Sequence, residues 1–265
     1  MNGAQRLSRI LDMKSGRQKI ACLTAYDAGF ARLLEQAGVD VVLVGDSLGM
    51  VLQGEADTLK VTMEDMVYHS RLVSKGLQHT LLITDMPYNS YVDATQALAN
   101  AQRLLSAGGA DMVKLEGGSE VLEPIRAMCK AGIAVCGHLG LQPQSVHKYG
   151  GYKVQGRNSE DADRIYTDAL ALELAGVKMI VLECIPRQLA AKISAALKVP
   201  TIGIGAGPDC DGQILVLYDV IGISAYIPKM ANDFLRQGGN IAGALRLYVE
   251  AVRGGQFPTA AQSFD

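Results

Sequence analysis

Short apolar runs alternate with longer amphipathic runs along most of the chain. Eight apolar runs, rich in β-branched residues, are typical of parallel strands that are buried on both faces. The runs between them carry apolar residues at three-to-four spacing, which is the pattern of amphipathic helices. The predicted strands lie at 19–27, 39–47, 79–87, 111–117, 133–140, 178–186 and 199–207, with a weaker eighth at 223–228.

Strand and helix alternate about eight times, which predicts a parallel α/β fold. A doubly wound open sheet is the main alternative, but eight units favour a closed (β/α)8 TIM barrel. No linker or shift in composition divides the chain, so we expect one domain spanning 1–265. An extra N-terminal helix within 4–16 precedes the first strand, where it can cover the bottom of the barrel.

Composition narrows the class of protein. The chain is 49% hydrophobic and 20% charged, and its net charge of −2 provides no basic field for nucleic acid. No apolar run approaches the ~20 residues of a membrane span, and the N-terminus lacks the apolar core of a secretory signal. Five cysteines without metal-binding spacing indicate free thiols in a reducing cytoplasm.

Two segments after predicted strands are long enough to act as lids. Residues 141–158 separate the fifth strand from its helix, and residues 49–62 follow the second strand. Long loops on the carboxyl side of barrel strands usually carry function. We therefore expect both segments to border the site.

Charged and polar side chains interrupt the apolar strands near their carboxyl ends, where the active sites of barrels form. A buried ionised group is costly unless it is paired or binds a metal. Lys114 and Glu116 are two residues apart, so they share one face of their strand. If that face is the barrel interior, the two side chains converge with the acids of nearby strands. The candidate set is Asp46, Ser47, Asp85, Lys114, Glu116, His138 and Glu183.

Structural interpretations remain open for single members of this set. Asp46 suits a helix N-cap, and Lys114 suits a structural ion pair. His138 suits either a buried structural histidine or a substrate contact. The glycine-rich segment 203–207 suits a tight strand exit better than a phosphate site.

A hard divalent cation would relieve the repulsion among four converging carboxylates. Oxygen ligands with few protein carboxylates are the magnesium pattern, in which water and substrate oxygens complete the octahedron. The sequence has no Cys/His cluster of the kind that binds zinc. Lys114 is then free to pair with a substrate carboxylate.

Eight stretches carry a family resemblance that is far more specific than any one motif. They are TAYD (24–27), LVGDSLGMVLQG (43–54), MVKLEGG (112–118), VCGHLGLQPQSV (135–146), GGYKVQGR (150–157), DALALELAG (168–176), LECIP (182–186) and IGIGAGPDCDGQILVLYD (202–219). In these stretches the chain resembles the ketopantoate hydroxymethyltransferase (3-methyl-2-oxobutanoate hydroxymethyltransferase) family.

The resemblance implies a phosphoenolpyruvate-mutase-like barrel and a magnesium-dependent reaction. The enzyme would transfer a hydroxymethyl group from methylene-tetrahydrofolate to 3-methyl-2-oxobutanoate (α-ketoisovalerate) and form ketopantoate for pantothenate and coenzyme A. It also implies a homo-oligomer, a decamer built from pentamers, whereas composition predicts a cytoplasmic protein with no nucleic-acid or membrane partner.

The resemblance also assigns roles to individual residues. Asp46, Asp85 and Glu116 would bind the metal; Asp46, Ser47, Asp85 and Lys114 would contact the keto acid; and Glu183 would accept the proton. The folate pocket is not located, and Lys148 and Lys153 are candidates for contacting the acidic folate tail.

Two other functions remain open. The first is another magnesium-dependent lyase or mutase that acts on a different 2-keto acid on the same barrel. The second is a non-catalytic protein that retains the fold. The 141–158 insertion and the contexts of Glu116 and His138 favour the transferase over the first. Against the second, every functional position that the family expects is filled.

Overall fold

Eight parallel strands close into a barrel in the computed structural model of the chain, which describes residues 1–148 and 150–265. Each strand pairs with the next in sequence, and the eighth pairs back onto the first. The predicted TIM barrel is therefore confirmed. The strands are β1 Ile20–Thr24, β2 Val41–Val44, β3 Leu81–Asp85, β4 Met112–Glu116, β5 Val135–Gly140, β6 Met179–Glu183, β7 Thr201–Ile204 and β8 Gly212–Leu215.

Helices occupy most of the intervening segments. The predicted extra N-terminal helix is present as α1, where the Asn2 side chain accepts a hydrogen bond from the Gln5 amide and begins the helix. The described helices are α1 Gly3–Ser15, α2 Ala28–Ala37, α3 Leu48–Val51, α4 Met63–Ser74, α5 Ala94–Ser106, α6 Leu122–Lys130, α7 Ser159–Ala175, α8 Arg187–Ala196, α9 Leu217–Val220, α10 Leu235–Gly238 and α11 Ile241–Arg253. None of the described helices is long and apolar enough to span a membrane.

Alternation along the strands divides the apolar residues into two cores. One set packs between the strands and the helices, and the other fills the barrel interior. Ile10 and Met13 of α1 belong to the interior set, so α1 covers the end of the barrel where the strands begin. The position expected for this helix is confirmed.

The side chains that face the barrel interior change from apolar to charged near the carboxyl ends of β3 and β4. On β3, Leu81 and Ile83 lie in the interior core below Asp85. On β4, Met112 occupies the same core below Lys114 and Glu116. The period of two therefore brings charged groups together at one end of a hydrophobic barrel.

The eighth predicted strand was wrong. Residues 223–228 form no strand; the eighth strand is Gly212–Leu215, and it pairs with β1 and β7. The physical reason is burial, because Gln213, Ile214 and Leu215 are buried whereas Ile223 and Tyr226 are 57% and 77% exposed.

The connection from β7 to β8 is also shorter than the repeating pattern predicts. It is a loop over 205–211 without a helix, and its glycines and proline do not favour one. Gly205 and Gly207 adopt φ of +64° and +85°, values that side chains other than glycine rarely take. The tight strand exit expected for 203–207 is therefore present.

Candidate active site

Asp85 and Lys114 form a buried ion pair where β3 and β4 end. The two residues are partners in the strand register, and Lys114 Nζ lies 2.7 Å from Asp85 Oδ1. The other oxygen of Asp85, Oδ2, accepts a hydrogen bond from the Asp46 backbone amide at 3.0 Å. The ends of three neighbouring strands are thus joined through one carboxylate.

His138 lies between two carboxylates. Its Nδ1 is 3.4 Å from Glu116 Oε1, and its Nε2 is 3.2 Å from Glu183 Oε2. Burial and the nearby Lys114 lower the pKa of His138, but the hydrogen bonds with Glu116 and Glu183 outweigh them and raise it to about 9. The two ring nitrogens of His138 thus lie within ion-pair distance of one acid each, and Lys114 Nζ lies 3.4 Å from Nδ1.

Glu183 is held at the end of β6 by its backbone as well as by His138. The next residue, Cys184, has a φ of +47°, which is uncommon for a residue with a side chain. The Cys184 amide donates to the Ile204 carbonyl at 2.8 Å, and its own carbonyl accepts from the Gln155 amide at 2.9 Å. Such strained positions often occur at functional sites.

Gln144, from the insertion after β5, completes the polar network. Its Nε2 donates to Asp46 Oδ2 at 2.8 Å and to the Met86 carbonyl at 3.0 Å, and its backbone amide donates to Glu116 Oε2 at 3.0 Å. Tyr91 donates its hydroxyl to Gln144 Oε1 at 2.5 Å. This contact fixes which end of the side-chain amide faces Asp46.

Negative charge exceeds positive charge in the inner cluster. Burial, followed by the charges of Asp85 and Glu116, raises the pKa of Asp46, although Lys114 and Gln144 oppose the shift. Burial also lowers the pKa of Lys114, but Asp85, Glu116 and Asp46 together raise it above its ordinary value. The cluster therefore favours a cationic ligand.

A cavity of about 750 Å³ opens above this cluster. Asp46, Ser47, Asp85, Lys114, Glu116, His138 and Glu183 all line it, so every sequence-predicted candidate reaches one site. Ser47 Oγ lies 2.9 Å from the Tyr26 hydroxyl. Asp46 does not act as the helix N-cap, because its carboxylate bonds to Gln144 instead. The alternative ion pair of Lys114 is present, with Asp85 as its partner.

The two predicted lid segments meet at the mouth of the cavity. His147 Nε2 lies 3.0 Å from Asp57 Oδ2, and the Tyr152 hydroxyl contacts the sulfur of Met50 at 3.5 Å. Met50 and Tyr152 line the cavity, whereas Lys148 and Lys153 are exposed and are not among its lining residues. Tyr149, also in the 141–158 segment, lies outside the described residues.

Tyr91 and Gln144 are the members of the network that sequence reasoning missed. Neither interrupts an apolar strand. Tyr91 lies in a loop and Gln144 in the three-residue 3₁₀ helix Pro143–Ser145, where periodicity provides no signal. Their distance of 53 positions in the sequence also conceals the contact. One signal could have identified Gln144 as a site residue: it lies within a long insertion on the carboxyl side of β5.

Residues 4–260 match the family model described as ketopantoate hydroxymethyltransferase. The chain belongs to the ketopantoate hydroxymethyltransferase family. It is 52% identical over 263 residues to the 3-methyl-2-oxobutanoate hydroxymethyltransferase of Halorhodospira halophila, covering 99% of this chain and 96% of the relative. It is 54% identical to the protein of the same name from Shewanella loihica, covering 97% of each chain.

Solved structures with the same barrel are more distant from this ketopantoate hydroxymethyltransferase family member. Phosphoenolpyruvate phosphomutase from Streptomyces platensis subsp. rosaceus aligns with a TM-score of 0.65 at 16% identity, covering 96% of each chain. A phosphonopyruvate hydrolase complex with oxalate and magnesium aligns with a TM-score of 0.63 at 16% identity, covering 99% of this chain and 93% of the hydrolase. The phosphoenolpyruvate-mutase-like form of the barrel is confirmed.

The donor set of this family member fits magnesium better than a softer metal. Asp46, Asp85 and Glu116 are buried carboxylates in a negatively charged cluster. Carboxylate oxygens are the hard ligands that magnesium prefers. Within the described part of the chain, no group of three His, Cys, Asp or Glu side chains is arranged to hold a metal by itself. Magnesium does not require one, because it usually binds one or two carboxylates together with water and substrate oxygens.

Proposed function

We propose that this protein transfers a hydroxymethyl group from methylene-tetrahydrofolate to 3-methyl-2-oxobutanoate and forms 2-dehydropantoate (ketopantoate). The proposal rests above all on identity of 52% or more to proteins named for this reaction, over nearly the whole chain. The acidic cluster at the barrel mouth supplies suitable chemistry. The place of the product in pantothenate and coenzyme A biosynthesis follows from the same names.

The metal in this proposal is a magnesium ion held by Asp46, Asp85 and Glu116, directly or through its bound water. When bound, it supplies Lewis-acid stabilisation of the negative charge that develops on the keto oxygen of the substrate. Gln144 supports this role, because its hydrogen bonds hold one oxygen each of Asp46 and Glu116. The remaining oxygen of Asp46 is then available to a ligand.

In this proposal Lys114 binds the substrate and Glu183 accepts its proton. Asp46, Ser47, Asp85 and Lys114 contact the keto acid, and Lys114 neutralises its carboxylate. Glu183 accepts the proton from C3 of the keto acid; its side chain lines the cavity, with Oε2 3.2 Å from His138 Nε2. C3 then bonds to the methylene carbon of methylene-tetrahydrofolate, and the two bonds from that carbon to the folate nitrogens break. Water supplies the hydroxyl oxygen of the product, and tetrahydrofolate leaves with its two nitrogens protonated by the proton taken from C3 and one proton from that water.

The oligomer, the cellular location and the domain count stay predictions. We expect a homo-oligomer, a decamer, in the cytoplasm, with one domain over 1–265. Sedimentation velocity of the purified protein measures the first of these directly. A monomer at micromolar concentration would contradict it.

A direct assay tests the function. Purified protein is incubated with 3-methyl-2-oxobutanoate and methylene-tetrahydrofolate, and ketopantoate is measured by mass spectrometry. We expect product with magnesium, loss of product after EDTA treatment and recovery when magnesium is added back. Absence of product under all conditions would refute the transferase, and activity that survives EDTA would refute the metal.

A further inference from the structure

The cavity is much larger than a five-carbon keto acid. The acidic cluster lies at its buried end, where Asp46, Lys114, Glu116 and His138 are 3–5% exposed. A volume of about 750 Å³ is in the range that accommodates a drug-sized molecule. The outer part is therefore available to a second ligand, and the proposed function requires one beside the keto acid.

Four aromatic and two charged side chains line the cavity outside the acidic cluster, together with aliphatic residues, and we name this group of six the outer chamber. Its members are Tyr152, Tyr218, Asp219, Tyr226, Lys229 and Phe264. Tyr152 and Tyr226 are 55% and 77% exposed, which places them at the rim. Such walls suit a flat ring system, because aromatic faces stack on one another.

A chain of contacts joins the outer chamber to the acidic cluster. The ring of Tyr218 lies 6.0 Å from the ring of Tyr26. The Tyr26 hydroxyl lies 2.9 Å from Ser47 Oγ, and Ser47 follows Asp46 in the sequence. Tyr218, which lines the same cavity, is therefore linked to the proposed keto-acid site through Tyr26 and Ser47.

Asp219 is the acidic member of the outer chamber. It is only 9% exposed, and the Ser224 hydroxyl donates to its Oδ1 at 2.6 Å. No other side chain or backbone amide of the described residues donates to this carboxylate, and no described cation forms an ion pair with it. Burial raises the pKa of Asp219, and the Ser224 hydrogen bond opposes the shift only in part. A buried carboxylate with one donor gains stability from further donors.

Because Asp219 is a hydrogen-bond acceptor, it would bind an edge of the ligand that carries N–H donors. A carboxylate accepts two parallel N–H groups, as it does from arginine. The pterin ring of a tetrahydrofolate carries such an edge in its ring N–H and its exocyclic amino group. We propose that Asp219 binds the donor edge of the pterin, which stacks among the tyrosines of the outer chamber. This inference rests on the proposed function, because it assigns a position to the co-substrate.

The Asp219→Asn variant tests the assignment. Asparagine keeps the size of the side chain and an oxygen for Ser224, but it presents an N–H donor where the ligand needs an acceptor. We expect the KM for methylene-tetrahydrofolate to rise at least about tenfold, because the variant loses one charged hydrogen bond to the ligand. The KM for the keto acid should change less than about twofold. The matched control is Asp209→Asn, an exposed residue of the β7–β8 loop that does not line the cavity.

A partial reaction separates this inference from the proposed function. Exchange of the C3 proton of the keto acid in heavy water requires no folate, and NMR follows it. If wild-type protein shows neither exchange nor product, the proposed function fails. If wild-type protein is active but Asp219→Asn leaves the folate KM unchanged, the pterin site fails alone. Loss of exchange in Asp219→Asn would likewise overturn the assignment, because it would show a role outside folate binding.

Competition with fragments of the co-substrate identifies the group that Asp219 recognises. A reduced pterin without the benzoyl-glutamate tail should inhibit wild-type transfer and inhibit Asp219→Asn at least about tenfold more weakly. p-Aminobenzoyl-glutamate should inhibit both proteins equally. The reverse pattern would place the tail, rather than the pterin, at Asp219 and would overturn the proposal.

Discussion

Gln144 and Tyr91 connect the backbone of β4 to a carboxylate at the end of β2. The Glu116 amide donates to the Tyr91 hydroxyl at 3.4 Å, Tyr91 donates to Gln144, and Gln144 donates to Asp46. Each hydrogen bond in this series is donated in the same direction, from the Glu116 amide towards the Asp46 carboxylate. Buried networks of this kind hold side chains in one geometry when every member is satisfied.

Gln144→Ala tests whether this series orients the metal carboxylates. We expect kcat to fall about tenfold and the apparent affinity for magnesium to weaken, because Asp46 loses a buried donor. Steady-state kinetics across a magnesium titration measures both quantities.

Tyr91→Phe should give a similar but smaller effect, and the double variant should be less than additive because the two residues share one network. Gln155→Ala is the control, since its side chain donates within its own loop, to the Lys153 carbonyl, and to no other group among the described residues. Unchanged magnesium dependence in Gln144→Ala would show that the residue is merely structural.

Glu183→Gln tests the proton acceptor. The variant keeps the shape of the side chain but cannot accept a proton, so turnover should fall by about 10²-fold or more. Proton exchange at C3 of the keto acid should fall equally, whereas calorimetry should show keto-acid binding within about threefold of wild type. Turnover near the wild-type rate would eliminate Glu183 from this role.

At the scale of elements, the carboxylate of Glu35 in α2 fixes the entry to β3. Its Oε1 accepts backbone hydrogen bonds from Gln78 at 2.9 Å, His79 at 2.6 Å and Thr80 at 3.0 Å. Burial raises the pKa of Glu35, but these backbone donors outweigh it and lower the pKa below its ordinary value. A helix side chain thus replaces the backbone partners that the start of an inner strand lacks.

Glu35→Gln should therefore destabilise the fold in a pH-dependent way. A folded-state pKa below the unfolded value contributes stability above the unfolded pKa, and this contribution is lost as pH falls through the folded pKa. We expect a loss of about 1–2 kcal/mol at pH 7, after allowance for partial exposure, and a smaller loss near pH 4. Urea unfolding at several pH values measures the difference.

Glu250→Gln serves as the control for this comparison, because Glu250 is an exposed residue of α11. It should unfold like wild type at each pH. If the two variants lose the same stability at pH 7 and at pH 4, the hydrogen bonds of Glu35 are not the cause.

For the whole molecule, the residues that stabilise the barrel and the residues of the candidate active site lie at opposite ends. The end where the strands begin is closed by α1, and Ile10 is fully buried there against the interior core. The other end carries the charged cluster and the cavity. Changes at the first end should alter stability without altering the site.

Ile10→Ala tests this separation. The change leaves a cavity in a packed core and should cost about 2–5 kcal/mol of unfolding free energy, with KM values unchanged. Ser8→Ala, an exposed position on the same helix, should stay within about 0.5 kcal/mol of wild type. Chemical denaturation and kinetics on the same samples give both readouts. A large shift in KM for Ile10→Ala would show that the two ends are coupled.

The sequence by itself determined the barrel and most of the acidic cluster. Period-two alternation puts side chains two residues apart on the same side of a strand, so the spacing of Lys114 and Glu116 predicted a shared face, and the structure shows that this face is the interior. The eighth strand escaped this reasoning, because β8 has only four residues and the apolar segment 223–228 resembled a strand.

Tertiary structure alone decided the partners of these residues. Gln144 lies 98 positions from Asp46, and Tyr218 meets Tyr26 only because β8 closes the barrel against β1. Local patterns contain no information on such contacts, since loop residues have no fixed periodicity and their neighbours are set by closure of the sheet. The outer chamber, with Asp219 at its wall, therefore follows from the folded chain and not from any motif.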